Sequence, residues 1–177
     1  MREIKLVLPT AEHELKAAEF KKEFFDCGEK VINGSGLLDQ LAYGDWLQHT
    51  EKNRNPETAG ADWVPSTTFF AMRTEDEKIV GMIDVRHHIR HPLLAECAGH
   101  IGYAVRPTER RKGYASQMLA LALEYAKDIG LDKVMLGCGA DNSGSARTIQ
   151  KHGGKLTQEK PCSNGKLMQI YWINLME

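Results

Sequence analysis

Residues 106–119, RPTERRKGYASQML, gather the residue types best suited to holding an anion. Arg106, Arg110, Arg111 and Lys112 lead into Gly113, and Ala115 and Ser116 follow in what reads as the first turn of a helix. A helix N-terminus presents unpaired backbone N–H groups and about half a positive charge. It is an anion site before any side chain is counted. A glycine there lets a ligand come close to the backbone. Cations are misplaced at this end of a helix, at about 0.3–1 kcal/mol each. Glu109 offsets part of that cost, and a bound anion would remove it. The competing reading is a solvated basic loop in front of an ordinary helix. A dinucleotide fingerprint would need more glycines, and a Walker loop would need GxxxxGK[ST]; neither occurs.

Other reactive residues point less sharply. His87, His88 and His91 cluster in RHHIRHP, but zinc needs three or four ligands in fixed geometry, and no Cys or acid stands at matching local spacing. No metal is expected. Cys27, Cys97, Cys138 and Cys162 lie far apart without a CxxC pair, so four free thiols in a reducing cytosol are expected. The net charge of -1 gives no field that would favour nucleic acid. The start, MREIKLVLPT, is too charged for a signal peptide, and no run reaches the roughly 18–20 apolar residues of a membrane span. A soluble, cytoplasmic protein is the expectation.

The elements that would position these residues follow from periodicity. With 177 residues, 42% hydrophobic and 27% charged, the chain fits one domain with its own core. EIKLVLP alternates as a strand, and Thr10 is a plausible cap for a helix over 11–25, with Leu15, Ala18 and Phe25 near helical spacing. NGSG breaks the chain, and Leu37, Leu41, Trp46 and Leu47 suggest a second helix before a long loop. STTFFAMR and IVGMIDVRH, linked by TEDEK, read as an antiparallel hairpin. HIRHPLLAEC interrupts, and AGHIGYAV is the next strand. Residues 113–129 form the strongest helix, closed by Gly130. The strand DKVMLGC and a short helix over SGSARTIQKHGG follow, then two strands joined through Asn164-Gly165. The order β-α-α-β-β-β-α-β-α-β-β implies an α/β (α+β) fold, a mixed sheet with helices packed on it.

The segment AVRPTERRKGYASQML resembles the signature of the GNAT superfamily of N-acetyltransferases: Arg or Gln, two residues, Gly, one residue, then Gly or Ala, here Arg110 to Ala115. The context agrees, because Asn142 follows the strand KVMLGC and precedes a short helix ending at Gly153. The resemblance is strong over about 66–176. Through FKKEFFD, INGSG, WVP and TFFA the whole chain is also similar to bacterial acetyltransferases of unassigned substrate.

The resemblance implies about seven mostly antiparallel strands with a V-shaped splay between the fourth and fifth. Residues 66–177 would form the acetyl-CoA core, and 1–65 would add a strand, two helices and an acceptor-side loop. Backbone amides of Arg111, Lys112, Gly113, Ala115 and Ser116 would hold the pyrophosphate, with Tyr114 and Ser145 also at the cofactor. Ala104 and Val105 would bond the pantetheine arm, and Asn142 would bond it from the other side. Arg106, Arg110 or Lys112 would reach the ribose phosphate. The activity would be direct acetyl transfer from acetyl-CoA to a primary amine, on a small molecule or a peptide, and a homodimer is common among relatives.

The proton chemistry is less determined. Many relatives carry a tyrosine general acid about seven residues after the asparagine, where this chain has Ile149. Tyr103, Tyr171 or Cys138 could serve instead. His100 is the leading base, since an ordinary imidazole titrates near 6.5, with a satisfied structural histidine on a strand as the competing reading; Glu96 or water are alternatives. The 87–91 loop would line the acceptor site, and Trp46 and Trp63 could wall its pocket, with core packing the competing reading for at least one of them. Ile149 also keeps open a second reading, a non-catalytic acyl-CoA-binding or sensing domain, and a third is a scaffold whose basic turn meets a protein.

Overall fold

A computed structural model describes residues 2–176. Seven strands form two antiparallel sheets. Strands β1 (Ile4–Val7), β2 (Ser66–Arg73), β3 (Ile79–Arg86) and β4 (Ile101–Val105) pair in the order β1-β2-β3-β4. Strands β5 (Lys133–Gly139), β6 (Lys155–Pro161) and β7 (Leu167–Asn174) pair in the order β5-β7-β6. Helices α1 (Glu14–Asp26), α2 (Tyr43–Asn53), α3 (Tyr114–Asp128) and α4 (Ser143–Lys151) flank them. The expected opening between the fourth and fifth strands is present, because β4 and β5 belong to different sheets.

Strands β2 and β3 are buried on both faces, and their alternation divides the core. Phe69, Ala71, Ile83 and Val85 turn toward Met118, Leu119 and Ala122 of α3. Phe70, Met72 and Met82 turn the other way, toward Phe20 and Phe24 of α1 and Trp46 of α2. Each large side chain so buried contributes about 1.5–3 kcal/mol. These two layers hold β4 and the start of α3 in place. No helix among the described residues is long and apolar enough to cross a membrane.

Three expectations need correction. The buried stripe of α1 is Ala17, Phe20 and Phe24, whereas Leu15 and Phe25 are exposed. Several apolar stripes fit one helix, and only the sheet it packs on selects among them. Helix α2 begins at Tyr43, not near Leu37. Leu37 has φ 75°, and the Asp39 carboxylate takes the Ile32 N–H, so this stretch is turned rather than helical. Last, Cys97 and Cys162 are disulfide-bonded, which leaves exposed Cys27 and buried Cys138 as the free cysteines. A π-helical turn, Leu94–Ala98, lays Cys97 beside Met135 of β5 and Ile170 of β7, where Cys162 after β6 also packs.

Candidate active site

The register shows which main-chain groups face the opening. Arg106 N–H donates to Val80 O at 2.8 Å, and Arg86 N–H donates to His100 O at 2.7 Å. Gly102 and Ala104 therefore bond β3, and Ile101, Tyr103 and Val105 turn their N–H and C=O away from it. On β5, bonds of Leu175 N–H to Asp132 O and Ala140 N–H to Leu167 O set the same alternation. Met135, Gly137 and Gly139 point away from β7 and toward β4. Ala104 thus lines the groove but spends its main chain on β3; among the described residues Tyr103 presents a free N–H and C=O, and Val105 presents its N–H, its C=O accepting from Arg110 Nε at 3.1 Å.

Among the described residues, the two edges meet at the base alone. His100 N–H donates to Met135 O at 2.8 Å, and Met135 N–H donates to His100 Nδ1 at 3.0 Å. Gly99, at φ 69°, makes the remaining bridge, to Leu136. The strands diverge beyond this pin, leaving a groove of about 830 Å³ that runs to the start of α3.

The start of α3 is an array of donors. Gly113 stands at the N-cap with φ 86°, and no side chain caps the helix. Among the described residues, the backbone N–H groups of Arg111, Lys112, Gly113, Tyr114, Ala115 and Ser116 find no protein acceptor. The basic side chains are less available than their sequence suggests. Arg106 is buried, bonds Glu23 through Nε and reaches Ile79 O. Arg110 grips Glu29 with two bonds of 2.7 and 2.8 Å. Lys112 pairs with Glu109, which is 4% exposed and also meets Arg73 and Lys78. Burial pushes the Glu109 carboxyl up, but these cations outweigh it and hold it at about 2. Arg111 alone of the four has no acidic partner among the described residues. It lines the groove with Arg147 and Lys151 of α4, two cations that no motif in the sequence announced.

Helix α4 supplies the opposite wall. Asn142 Oδ1 accepts the Ser145 N–H at 3.1 Å and so caps the helix. The Tyr103 and Ser145 hydroxyls lie 2.7 Å apart across the groove. Burial raises the Tyr103 phenol above its ordinary 10, so it is protonated at neutral pH, and burial likewise raises the Cys138 thiol. Ile149 lies in the core, and the hydroxyl of buried Tyr171 donates to Gln169.

Neither expected base is brought to the groove. His100 is 6% exposed. Burial, then Arg86 and His88, lower it to about 4. Because its Nδ1 accepts from Met135, the ring proton of the neutral imidazole sits on Nε2 and no lone pair is left for a substrate. Glu96 lies beside the Cys97–Cys162 link, not on the groove wall. His87 bonds the Thr67 hydroxyl at 3.0 Å, and His88 accepts from the Arg90 N–H.

A second cavity of about 480 Å³ adjoins the groove and shares Asn33, Gly34 and Arg86 with it. The 33–36 loop lies so close to β4 that a Cβ on Gly34 would sit 2.2 Å from Gly102 O. Of the two expected wall tryptophans, half-exposed Trp63 lines this cavity, edge-on to His49. Trp46 is fully buried and donates to Ser35 O. His91 also reaches the cavity. Asp84 and Arg86, which border it, carry no sequence signal of their own because they continue an ordinary strand alternation.

Comparison with known proteins gives this geometry a context. The pattern of the acetyltransferase (GNAT) family matches residues 38–154. The fold is similar to that of ribosomal-protein-S5-alanine acetyltransferase from Vibrio fischeri, at 16% identity and TM-score 0.73, covering 98% of this chain and 94% of that one. It is similar to a GNAT-family acetyltransferase from Bacillus anthracis, at 20% identity and TM-score 0.65, covering 100% and 98%. It also resembles the microcin C7 self-immunity acetyltransferase MccE in complex with acetyl-CoA and AMP, at 19% identity and TM-score 0.69, covering 97% and 92%. No curated protein matches the chain.

Proposed function

The chain belongs to the acetyltransferase (GNAT) family and is an N-acetyltransferase, and from that premise we propose how its groove carries out acetyl transfer from acetyl-CoA to a primary amine. The observation that carries the proposal is the run of unpaired N–H groups from Arg111 to Ser116 at one end of a groove whose walls expose strand edges. Such a run suits a diphosphate, and the groove-facing edges of Tyr103 and Gly137, with the N–H groups of Val105 and Gly139, suit an extended amide-bearing arm; the Val105 and Gly139 carbonyls already accept from Arg110 Nε and the Asn142 N–H. Arg111, Arg147 and Lys151, which have no acidic partner among the described residues, add positive charge at the groove wall. The residues present fit acetyl-CoA.

Bound there, acetyl-CoA supplies an acyl group activated as a thioester. The groove-facing N–H groups of β4 polarise the acyl oxygen. The amine nitrogen bonds the acyl carbon as the carbon–sulfur bond breaks and its electron pair leaves on sulfur. Tyr103, protonated and held by Ser145, is the donor to that sulfur. The proton lost by the amine passes to water, since His100 and Glu96 stand away from the groove, and water returns a proton to the Tyr103 phenolate to close the cycle. Residues 66–177 hold the donor, and residues 1–65, with the second cavity, hold the acceptor. The cytoplasm is the proposed site of action.

Calorimetry with acetyl-CoA, followed by thiol release with a panel of amines, tests this reading. Binding and amine-dependent release of free CoA are expected. Absence of acetyl-CoA binding would overturn it.

A further inference from the structure

The face of β2 and β3 beneath α1 and α2 changes character along its length. Phe70, Met72 and Met82 are packed in the apolar layer. Further along the same alternation come Ser66 and Thr68 on β2, opposite Arg86 and Asp84 on β3. These four polar residues border the second cavity.

A buried carboxylate beneath an arginine is costly unless it organises something. Asp84 is 5% exposed; its Oδ1 accepts the Thr68 hydroxyl at 2.8 Å, and its Oδ2 lies 3.7 Å from Arg86 Nε. On its other side, Arg86 donates from one terminal nitrogen to Gly99 O at 3.1 Å. Two sides of the guanidinium are thereby fixed. The remaining terminal nitrogen has no acceptor among the described residues and lies over Gly102, 3.7 Å from the position a Cβ there would take. Arg86 borders both the groove and the second cavity. With the diphosphate end of the groove at α3, the opposite end beside Ile101 and Gly102 is the acyl end.

Granting the donor site proposed above, we infer that Arg86 binds the carboxylate of the acceptor and that the acceptor is an α-amino acid. A planar guanidinium held on two sides and open on the third suits a carboxylate. Its place at the junction requires that this carboxylate lie next to the reacting amine, and in an α-amino acid one carbon separates them. The side chain of the acceptor then extends into the second cavity toward Trp63 and His49. Asp39 and Asp62 also border that cavity and favour a zwitterion over a simple anion. Asp84 is a positioning residue, acting through Arg86.

The test uses the whole chain with the twenty L-amino acids. Each one that reacts is compared with its decarboxylated amine, its carboxamide and a dipeptide that moves the carboxylate away. Thiol release is measured with acetyl-CoA, and acceptor affinity is measured by calorimetry with unacylated CoA bound. At least one amino acid is expected to bind and react with kcat/KM about tenfold or more above all three counterparts. Arg86→Gln should raise KM for the amino acid by a similar factor and leave KM for its carboxamide unchanged, and Arg86→Lys should retain part of the preference. Acetyl-CoA affinity serves as the folding control for both variants. Equal turnover of acid and carboxamide, an equal effect of Arg86→Gln on both, or no amino acid bound or acetylated while acetyl-CoA binds would each overturn the inference. Loss of acetyl-CoA binding in the unaltered chain would instead overturn the donor site, and this inference with it.

Discussion

Two helices begin at the same groove and treat their first N–H groups in opposite ways. At α4, Asn142 folds its side chain over the helix start and accepts the Ser145 N–H. At α3, Gly113 has no side chain to offer, and the N–H groups from Arg111 to Ser116 stay open. A side-chain cap contributes about 1 kcal/mol, and α3 forgoes it. On the proposed reading, the contrast separates a helix start closed by a side chain from one left open for an anion. It also reassigns the basic cluster. Glu23, Glu29 and Glu109 engage Arg106, Arg110 and Lys112, so the proposed anion site rests mainly on backbone N–H groups, and Arg111 is the cation of that turn without an acidic partner among the described residues.

The largest break in this contrast should come from closing the open helix. Gly113→Asp puts a side chain at φ 86° and a negative charge among the donors, and should weaken acetyl-CoA binding by roughly a hundredfold. An unchanged Kd by calorimetry would remove α3 as the binding element.

Next in size is the pin that sets the two helix starts apart. His100→Ala leaves the buried Met135 N–H without its acceptor, at about 2 kcal/mol, and should lower Tm by about 4–8 °C. The native chain should also lose stability as pH falls. His100 is held at about 4, below its unfolded value of 6.5, so between those values the unfolded chain binds more protons. Its contribution is complete above about 6.5 and fades toward 4. A Tm–pH curve of His100→Ala that is as steep as that of the native chain over this window would refute the pin. The pH–rate profile near neutrality should be the same for both proteins.

The side chains of the cradle should divide unequally. Arg111→Ala should weaken acetyl-CoA about tenfold and flatten its salt dependence, and Lys112→Ala should cost less than about threefold. The reverse order would show that the ion pair with Glu109 opens to serve the ligand. Smallest is Asn142→Ala, expected to lower Tm by about 2–4 °C and leave Kd within about threefold. A tenfold loss of affinity at unchanged Tm would make Asn142 a ligand rather than a cap.

Elements with strong local signals were legible in the sequence. The β2–β3 pair and α3 follow from alternation, helical spacing and their polar boundaries, and the turn between β6 and β7 follows from Asn164-Gly165. Gly113 and its neighbours marked the cradle by residue type. Features set by distant partners were hidden. The glutamates that engage Arg106 and Arg110 lie 83 and 81 positions earlier. The use made of His100 depends on Met135, 35 positions later, and Cys97 finds Cys162 at a separation of 65. A charge or an imidazole shows what it can do in the sequence; only the fold shows what it is already bonded to.

A crystal structure of the acetyl-CoA complex tests the central claim most directly. The account predicts diphosphate oxygens within about 3 Å of several backbone N–H groups between Arg111 and Ser116, with the arm bonded along the Tyr103–Val105 edge. Diphosphate bound elsewhere, with those N–H groups facing solvent, would contradict it.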